Sequence, residues 1–223
     1  MEERYSKNLG ALTEREIETL HLKRVCVVGC GGIGGYVVEL FARLGIGTLT
    51  VVDGDSFAVS NLNRQLLSVE ALIGHSKADA AHNRVRAVNS QVLLKTVPSF
   101  LTKENADGIL QNHDIVIDAL DNIPSRRILA DACGRLGLTL VHGAISGWRA
   151  QIAVIAPNCR AFDLIYPEEQ IAFPQSSLSF TPALAAAIQT AEALKVLLNR
   201  EVSLDSKLLI VDLLTQEYNT VKL

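Results

Sequence analysis

Apolar runs rich in Val and Ile alternate along this chain with segments of helical period. Arg24 to Gly29 (R-V-C-V-V-G) reads as a buried strand, Ile33 to Leu44 repeats its apolar positions at helical spacing, and Thr48 to Asp53 (T-L-T-V-V-D) is a strand again. Together they predict a β-α-β unit. The alternation then predicts a helix over Lys77 to Asn89, a strand over Val92 to Val97, a helix over Lys103 to Leu110 and a strand over Asp114 to Leu120. A helix from Pro124 to Leu136 and a strand from Thr139 to Gly143 follow. Strands joined by helices run parallel with right-handed crossovers, so the first two thirds should form a doubly wound sheet covered on both faces.

The last third breaks this rhythm. Trp148 to Ala156 reads as a strand too close to its predecessor for a crossover helix, which predicts an antiparallel pair. Pro157 to Thr181, with Pro157, Pro167, Pro174 and a cluster of serines, is expected to form a long loop, a candidate flap for contacting a partner. A helix from Pro182 to Asn199 and strands over Lys207 to Leu213 and Glu217 to Leu223 complete the pattern. The expected fold is therefore α/β, a Rossmann-like, mostly parallel sheet with antiparallel strands in the C-terminal third. A helical arm over residues 1–22 precedes it, in a single domain spanning 1–223.

Composition narrows the function. The 223 residues are 48% hydrophobic, enough for one full core. The net charge is -3, from 21 Lys and Arg against 24 Asp and Glu, which lacks the basic footprint of a nucleic-acid binder. The uncharged stretch from Val25 to Val38 falls short of the about 20 apolar residues a membrane span needs. Met1-Glu2-Glu3-Arg4 is followed by no apolar core, so no signal peptide is expected and a cytoplasmic location is. The four cysteines, Cys26, Cys30, Cys133 and Cys159, form no C-x-x-C pair, which argues for reduced thiols and against zinc.

The chemistry collects where strands end. Gly29-Cys30-Gly31-Gly32-Ile33-Gly34 fits G-x-G-x-x-G between the first strand and the first helix, where backbone N–H groups can meet phosphates. Asp53 closes the second strand at the spacing of about 20 residues at which a carboxylate meets ribose hydroxyls. Either a nicotinamide enzyme or an ATP-using enzyme fits so far. Asp55 and the run Ser60-Asn61-Leu62-Asn63-Arg64-Gln65 then place amides and a guanidinium at the phosphate end, where a hydride-transfer site needs a flat apolar slot. Lys77 opens a helix, and Asp118-Ala119-Leu120-Asp121-Asn122 ends a strand at the same sheet edge. Arg64 and Lys77 could stabilise a transferring phosphoryl group, and a strand-end carboxylate could hold Mg2+. His142, also at this edge, is open to an acid–base or a structural role.

The ordered set G-C-G-G-I-G (29–34), D-G-D (53–55), S-N-L-N-R-Q (60–65), G-H-S-K (74–77) and L-D-N (120–122) resembles the MoeB/ThiF/HesA family of ubiquitin-activating-type enzymes. Arg4-Tyr5-Ser6-Lys7-Asn8 is similar to that family's N-terminal element, so the resemblance covers nearly the whole chain. It implies an ATP- and Mg2+-dependent adenylyltransferase, a homodimer that activates the C-terminal carboxylate of a ubiquitin-like sulfur carrier ending in Gly-Gly and releases pyrophosphate. By resemblance, Gly29, Gly31, Gly32 and Gly34 pack on the nucleotide, Asp53 holds the ribose, and Ser60 to Arg64 line the triphosphate. Arg64 and Lys77 stabilise charge, Asp121 is the Mg2+-associated carboxylate, and Asn122 lies beside it.

Three departures refine this picture. Lys7 stands where the family has an arginine that reaches the neighbouring subunit's site, replacing a bidentate contact with a point charge. Cys159 stands near the start of the family's zinc pairs, but Phe162 occupies its partner's position. No cysteine follows Cys159, where thioester-forming relatives carry theirs. The expectation is adenylation without zinc, with sulfur supplied by a separate donor protein and no further domain in a chain of this length. A relative that activates another carboxylate or carbamoyl group, on modified tRNA or a peptide, is the alternative, followed by a NAD-dependent oxidoreductase and a non-catalytic scaffold.

Overall fold

In the computed structural model, which describes residues 2–157, 159, 161–167 and 176–223, eight strands form one sheet. The strands β1 (Arg24–Val28), β2 (Thr48–Val52), β3 (Leu93–Val97), β4 (Ile115–Asp118) and β5 (Leu140–Ser146) all run parallel. β6 (Arg149–Ile155), β7 (Lys207–Asp212) and β8 (Glu217–Lys222) continue the sheet as antiparallel neighbours. The order is β3-β2-β1-β4-β5-β6-β7-β8. The chain therefore reverses direction across the sheet between β1 and β4, and a crevice opens beyond the C-terminal ends of those two strands.

Alternation of side chains along β1 builds two cores. Val25 and Val27 pack in one cluster with Val37, Val38 and Phe41 of α2 (Gly32–Leu44), Val85 of α3 (Lys77–Val88), and Ala185, Ala186 and Ala193 of α7 (Phe180–Leu197). Cys26 and Val28 face the other way, into a cluster with Leu110 of α4 (Ala106–Leu110) and with Leu129, Ala132 and Cys133 of α5 (Ile123–Leu136). Both faces of β1, β2 and β4 are buried, which is why those strands read as continuous apolar runs. Gln189 of α7 is fully buried and donates to the carbonyls of Asp118 and Val141 at 2.9 and 3.0 Å, fastening that helix to β4 and β5.

Local signals set the helix ends that face the crevice. Asn122 caps α5, its Oδ1 accepting the Ser125 N–H at 2.9 Å with Pro124 in the first turn, an arrangement that stabilises a helix by about 1 kcal/mol. Ser76 caps α3 by accepting the Asp79 N–H. The N-terminal arm is a 3-10 turn over Glu3–Asn8 and α1 (Glu14–Leu20), the latter opened by a capping box between Thr13 and Glu16. Buried Tyr5 anchors the arm, its hydroxyl accepting from Asn89 Nδ2 at 2.8 Å.

The segment expected as an uninterrupted loop over 157–181 is different where it is described. Ala161–Ile165 forms the short helix α6, and α7 begins at Phe180, ahead of Pro182. Phe162, Ile165 and Tyr166 are buried in the second core, and this burial orders a turn too short to show a period in the sequence. Residues 168–175, including Pro174, lie outside the described residues. Pro182 falls in the first turn of α7, where the missing N–H has no intrahelical partner to lose.

Candidate active site

The crevice at the reversal point is a cleft of about 470 Å3, a volume that suits a nucleotide-sized ligand. The C-terminal ends of β1, β2 and β4 supply its floor through Gly29, Asp53 and Ala119 to Asn122. Two glycines make the tight entry into α2 possible. Gly29 has a φ of +94°, and a Cβ there would lie 2.6 Å from the Ala119 carbonyl oxygen; one at Gly34 would lie 1.9 Å from that of Gly29. Side chains at either position would push the loop out of the crevice.

Asp53 ties this loop to the end of β2. Its Oδ2 accepts the Cys30 N–H at 2.6 Å and its Oδ1 accepts the Asp55 N–H at 2.8 Å. Burial pushes its carboxyl above the usual range, opposed by those two N–H donors and by the nearby Lys77 charge. Each oxygen retains a lone pair for a further donor, such as a sugar hydroxyl. Cys30 itself turns into the core, where burial drives its thiol far above the ordinary range.

Two cations meet the loop from the other side. Lys77, at the first position of α3, is buried and pairs with Asp55 at 2.9 Å. Arg64 lies against Gly32, its Nη1 donating to the Ser60 carbonyl at 2.8 Å and to Asn63 Oδ1 at 2.9 Å. Asn63 in turn donates to the Ser177 carbonyl, which draws the segment after residue 175 over this wall. The Gln65 amide lies over Gly31, and its Oε1 is buried without a hydrogen-bond partner. A buried acceptor left open beside a cluster of donors is what a polar ligand with its own N–H or O–H groups completes.

On the opposite wall, Asp121 and Asn122 are exposed, with Asn122 Nδ2 donating to Asp121 Oδ1 at 3.1 Å. Behind them Asp118 is fully buried and accepts from His142 at 2.7 Å, which gives His142 a structural position inside the molecule. Burial pushes the His142 pKa down against the pull of Asp118, so the ring is neutral.

The structure thus gathers Gly29, Gly31, Gly32, Asp53, Asp55, Ser60, Asn63, Arg64, Gln65, Lys77, Asp121 and Asn122 around one cleft. Gly34, Asn61, Leu62 and Lys7 lie outside its lining. Gly34 packs beneath the loop, and Asn61 is buried with its Oδ1 accepting the Ala58 N–H. Lys7 is exposed on the N-terminal arm. The sequence reading missed Ser99, Phe100 and Leu101, which follow β3, together with Ser125, Arg126, Ile145 and Ser176. Phe100 lies against Gly54 at the rim and Leu101 joins the apolar floor with Val28 and Val52, a surface suited to the flat face of a base. Among the described residues, no group of three or more His, Cys, Asp or Glu side chains could hold a metal ion. Asp121 is nevertheless a single exposed carboxylate on this wall, a donor set compatible with Mg2+, which keeps most of its waters.

Comparison with known proteins defines the class. The ThiF family pattern matches residues 5–223, and the chain belongs to the ThiF family. It is similar to the SAMP-activating enzyme E1 of Haloferax volcanii, 35% identical over 204 residues that cover 89% of this chain and 76% of that one. It is also similar to the sulfur carrier protein adenylyltransferase of Thermus thermophilus, 36% identical over 213 residues, 90% of this chain and 79% of the relative. The adenylyltransferase and sulfurtransferase MOCS3-1 of Zea mays is 32% identical over 99% of this chain, which spans about half, 49%, of that protein. The fold matches the crystal structure of Escherichia coli MccB with a TM-score of 0.88 at 20% identity, over 99% of this chain and 69% of that one. The protein is an enzyme of this adenylyltransferase class. No helix among its described residues is long and apolar enough to cross a membrane.

Proposed function

We propose that this enzyme uses ATP to adenylate the C-terminal glycine carboxylate of a ubiquitin-like sulfur carrier protein, releasing pyrophosphate. The observation that carries the reading is the convergence of the glycine loop, buried Lys77 and Arg64 on one cleft. Likeness to the activating enzyme of Haloferax volcanii and the adenylyltransferase of Thermus thermophilus supports the carrier as substrate.

A carboxylate oxygen of the carrier attacks the α-phosphorus, a new P–O bond forms, and the bond to the bridging oxygen breaks so that pyrophosphate leaves with its electron pair. No protein nucleophile is required. The chain's work is orientation and neutralisation of charge. The backbone N–H groups of the glycine loop meet phosphate oxygens at the start of α2, while Asp53 accepts from ribose hydroxyls and so fixes the α-phosphorus in depth. Lys77 and Arg64 stand where charge grows on the leaving pyrophosphate, with Ser60, Asn63 and Gln65 lining the same wall. Asp121, beside Asn122, would hold Mg2+, which supplies charge neutralisation across the phosphates.

In a homodimer, Lys7 on the exposed arm is the contact offered to a neighbouring subunit, and a separate protein donates the sulfur. ATP–pyrophosphate exchange tests the reading. Exchange should require a carrier with a free C-terminal Gly-Gly and stop when that carboxylate is amidated; exchange indifferent to the carboxylate would contradict it.

A further inference from the structure

A buried polar hub lies behind the turn that carries Asp121. Asp118 ends β4 and His142 sits in β5, and the His142 Nδ1–H donates to Asp118 Oδ2 at 2.7 Å. Nε2 is then the ring's acceptor, and the Tyr166 hydroxyl donates to it at 3.2 Å. The Tyr166 oxygen accepts from Gln151 Nε2 at 2.7 Å and from Arg126 Nη1. The Tyr166 hydroxyl is thus shared among His142, Gln151 and Arg126, and Gln151 Nε2 also lies 3.4 Å from His142 Nε2. The rings of His142 and Tyr166 stand edge to face with centroids 5.4 Å apart, and Phe162 packs on both.

The hub reaches forward to one residue. Asp118 Oδ1 accepts the Leu120 N–H at 3.0 Å, while Arg126 donates to the Leu120 carbonyl through Nη2 and, at 3.2 Å, through Nε. Both backbone groups of Leu120 are thus held from inside, one residue before Asp121. Arg126 is itself buried, and its nearest carboxylate contact is Asp118 at 3.9 Å. A guanidinium so placed needs each of its acceptors, and Tyr166 is one of them.

We propose that Tyr166 is a positioning residue: through Arg126 it fixes the Leu120 to Asn122 turn, and so the placement of Asp121 at the phosphate end of the cleft. Tyr166 directly follows α6, so this contact links that short helix to the far wall of the nucleotide cleft. The positioning stands on the hydrogen bonds alone, whereas its effect on catalysis rests on the Mg-ATP reading given above.

Tyr166→Phe removes the hydroxyl and keeps the ring. In the ligand-free protein, amide exchange at Leu120 should rise about five- to tenfold, the loss of one hydrogen bond to a buried group, while Val51 in β2 is unchanged. By calorimetry the variant should bind Mg-ATP more weakly by a similar factor and bind ATP in EDTA as the wild type does. In an Asp121→Asn background, Tyr166→Phe should have no further effect on Mg-ATP affinity. Arg126→Lys, which removes the double contact to Leu120 and leaves Tyr166 in place, gives the same exchange readout should the first variant fail to fold. Unchanged Leu120 exchange, or equal losses with and without Mg2+, overturns the proposal. Wild-type protein that binds no ATP overturns the reading of the cleft instead, and the exchange measurement still decides the positioning.

Discussion

Lys77 Nζ lies 2.9 Å from Asp55 Oδ2, with the lysine side chain buried and the carboxylate half exposed. The buried ammonium is compensated before any ligand arrives, and its partner stands at the rim where an incoming polyphosphate can take its place. Removing the cation should therefore act on charge developing in the cleft more than on folding. Lys77→Met is expected to lower kcat/KM for carrier-dependent pyrophosphate exchange by about 100- to 1,000-fold, the effect of losing one preorganised charge donor. Steady-state kinetics checks it, with a retained urea midpoint separating this loss from unfolding.

Gly34 sets the geometry of the loop. A methyl group there meets the Gly29 carbonyl at 1.9 Å, so backbone must move. Gly34→Ala should destabilise the protein by about 1–3 kcal/mol, the usual result of overpacking, and weaken ATP binding as the loop shifts. Urea denaturation and calorimetry read the two effects separately.

Acid should weaken the fold through two histidines. Burial pushes the pKa of His142 and of His113 below the ordinary 6.5. As pH falls through that value the unfolded chain takes up protons that the folded chain refuses, so stability is full above about pH 6.5 and declines below it. The urea midpoint should fall between pH 7.5 and 5.5, and His142→Gln should flatten that slope. A midpoint independent of pH would contradict the assignment of neutral rings.

Thiol chemistry should be confined to one site. Cys26, Cys30 and Cys133 are buried and Cys159 is exposed. Burial raises the Cys133 pKa to about 12. A thiol reagent should label one cysteine quickly in the native protein and four in denaturant. Alkylated enzyme should retain pyrophosphate exchange, since adenylation uses no thiol.

The parallel half of the fold was legible because β1, β2 and β4 are buried on both faces and must be apolar throughout. The glycine loop was legible because its constraint is local, Gly29 and Gly34 acting within one turn. Other features depend on meetings that no spacing records. Phe100 and Leu101 reach the cleft only because β3 pairs with β2, and Arg126 only because Asn122 caps α5 so that it begins at Ile123. The helix α6 is one turn, stabilised by burial of Phe162, Ile165 and Tyr166 and by the Arg127–Asp163 pair at 2.8 Å, none of which leaves a periodic trace. Asn61 lies within the S-N-L-N-R-Q run yet turns inward to cap Ala58, because a compact turn needs its own hydrogen bonds.

In the proposed reaction, a carrier carboxylate attacks the α-phosphorus of ATP held between Arg64, Lys77 and the glycine loop. A carrier with a heavy-oxygen label in its terminal carboxylate tests this directly when the activated product is trapped with hydroxylamine and the released AMP is weighed. Labelled AMP from the wild type, and none from Arg64→Ala, is the predicted result; unlabelled AMP, or ADP as the nucleotide product, would contradict it.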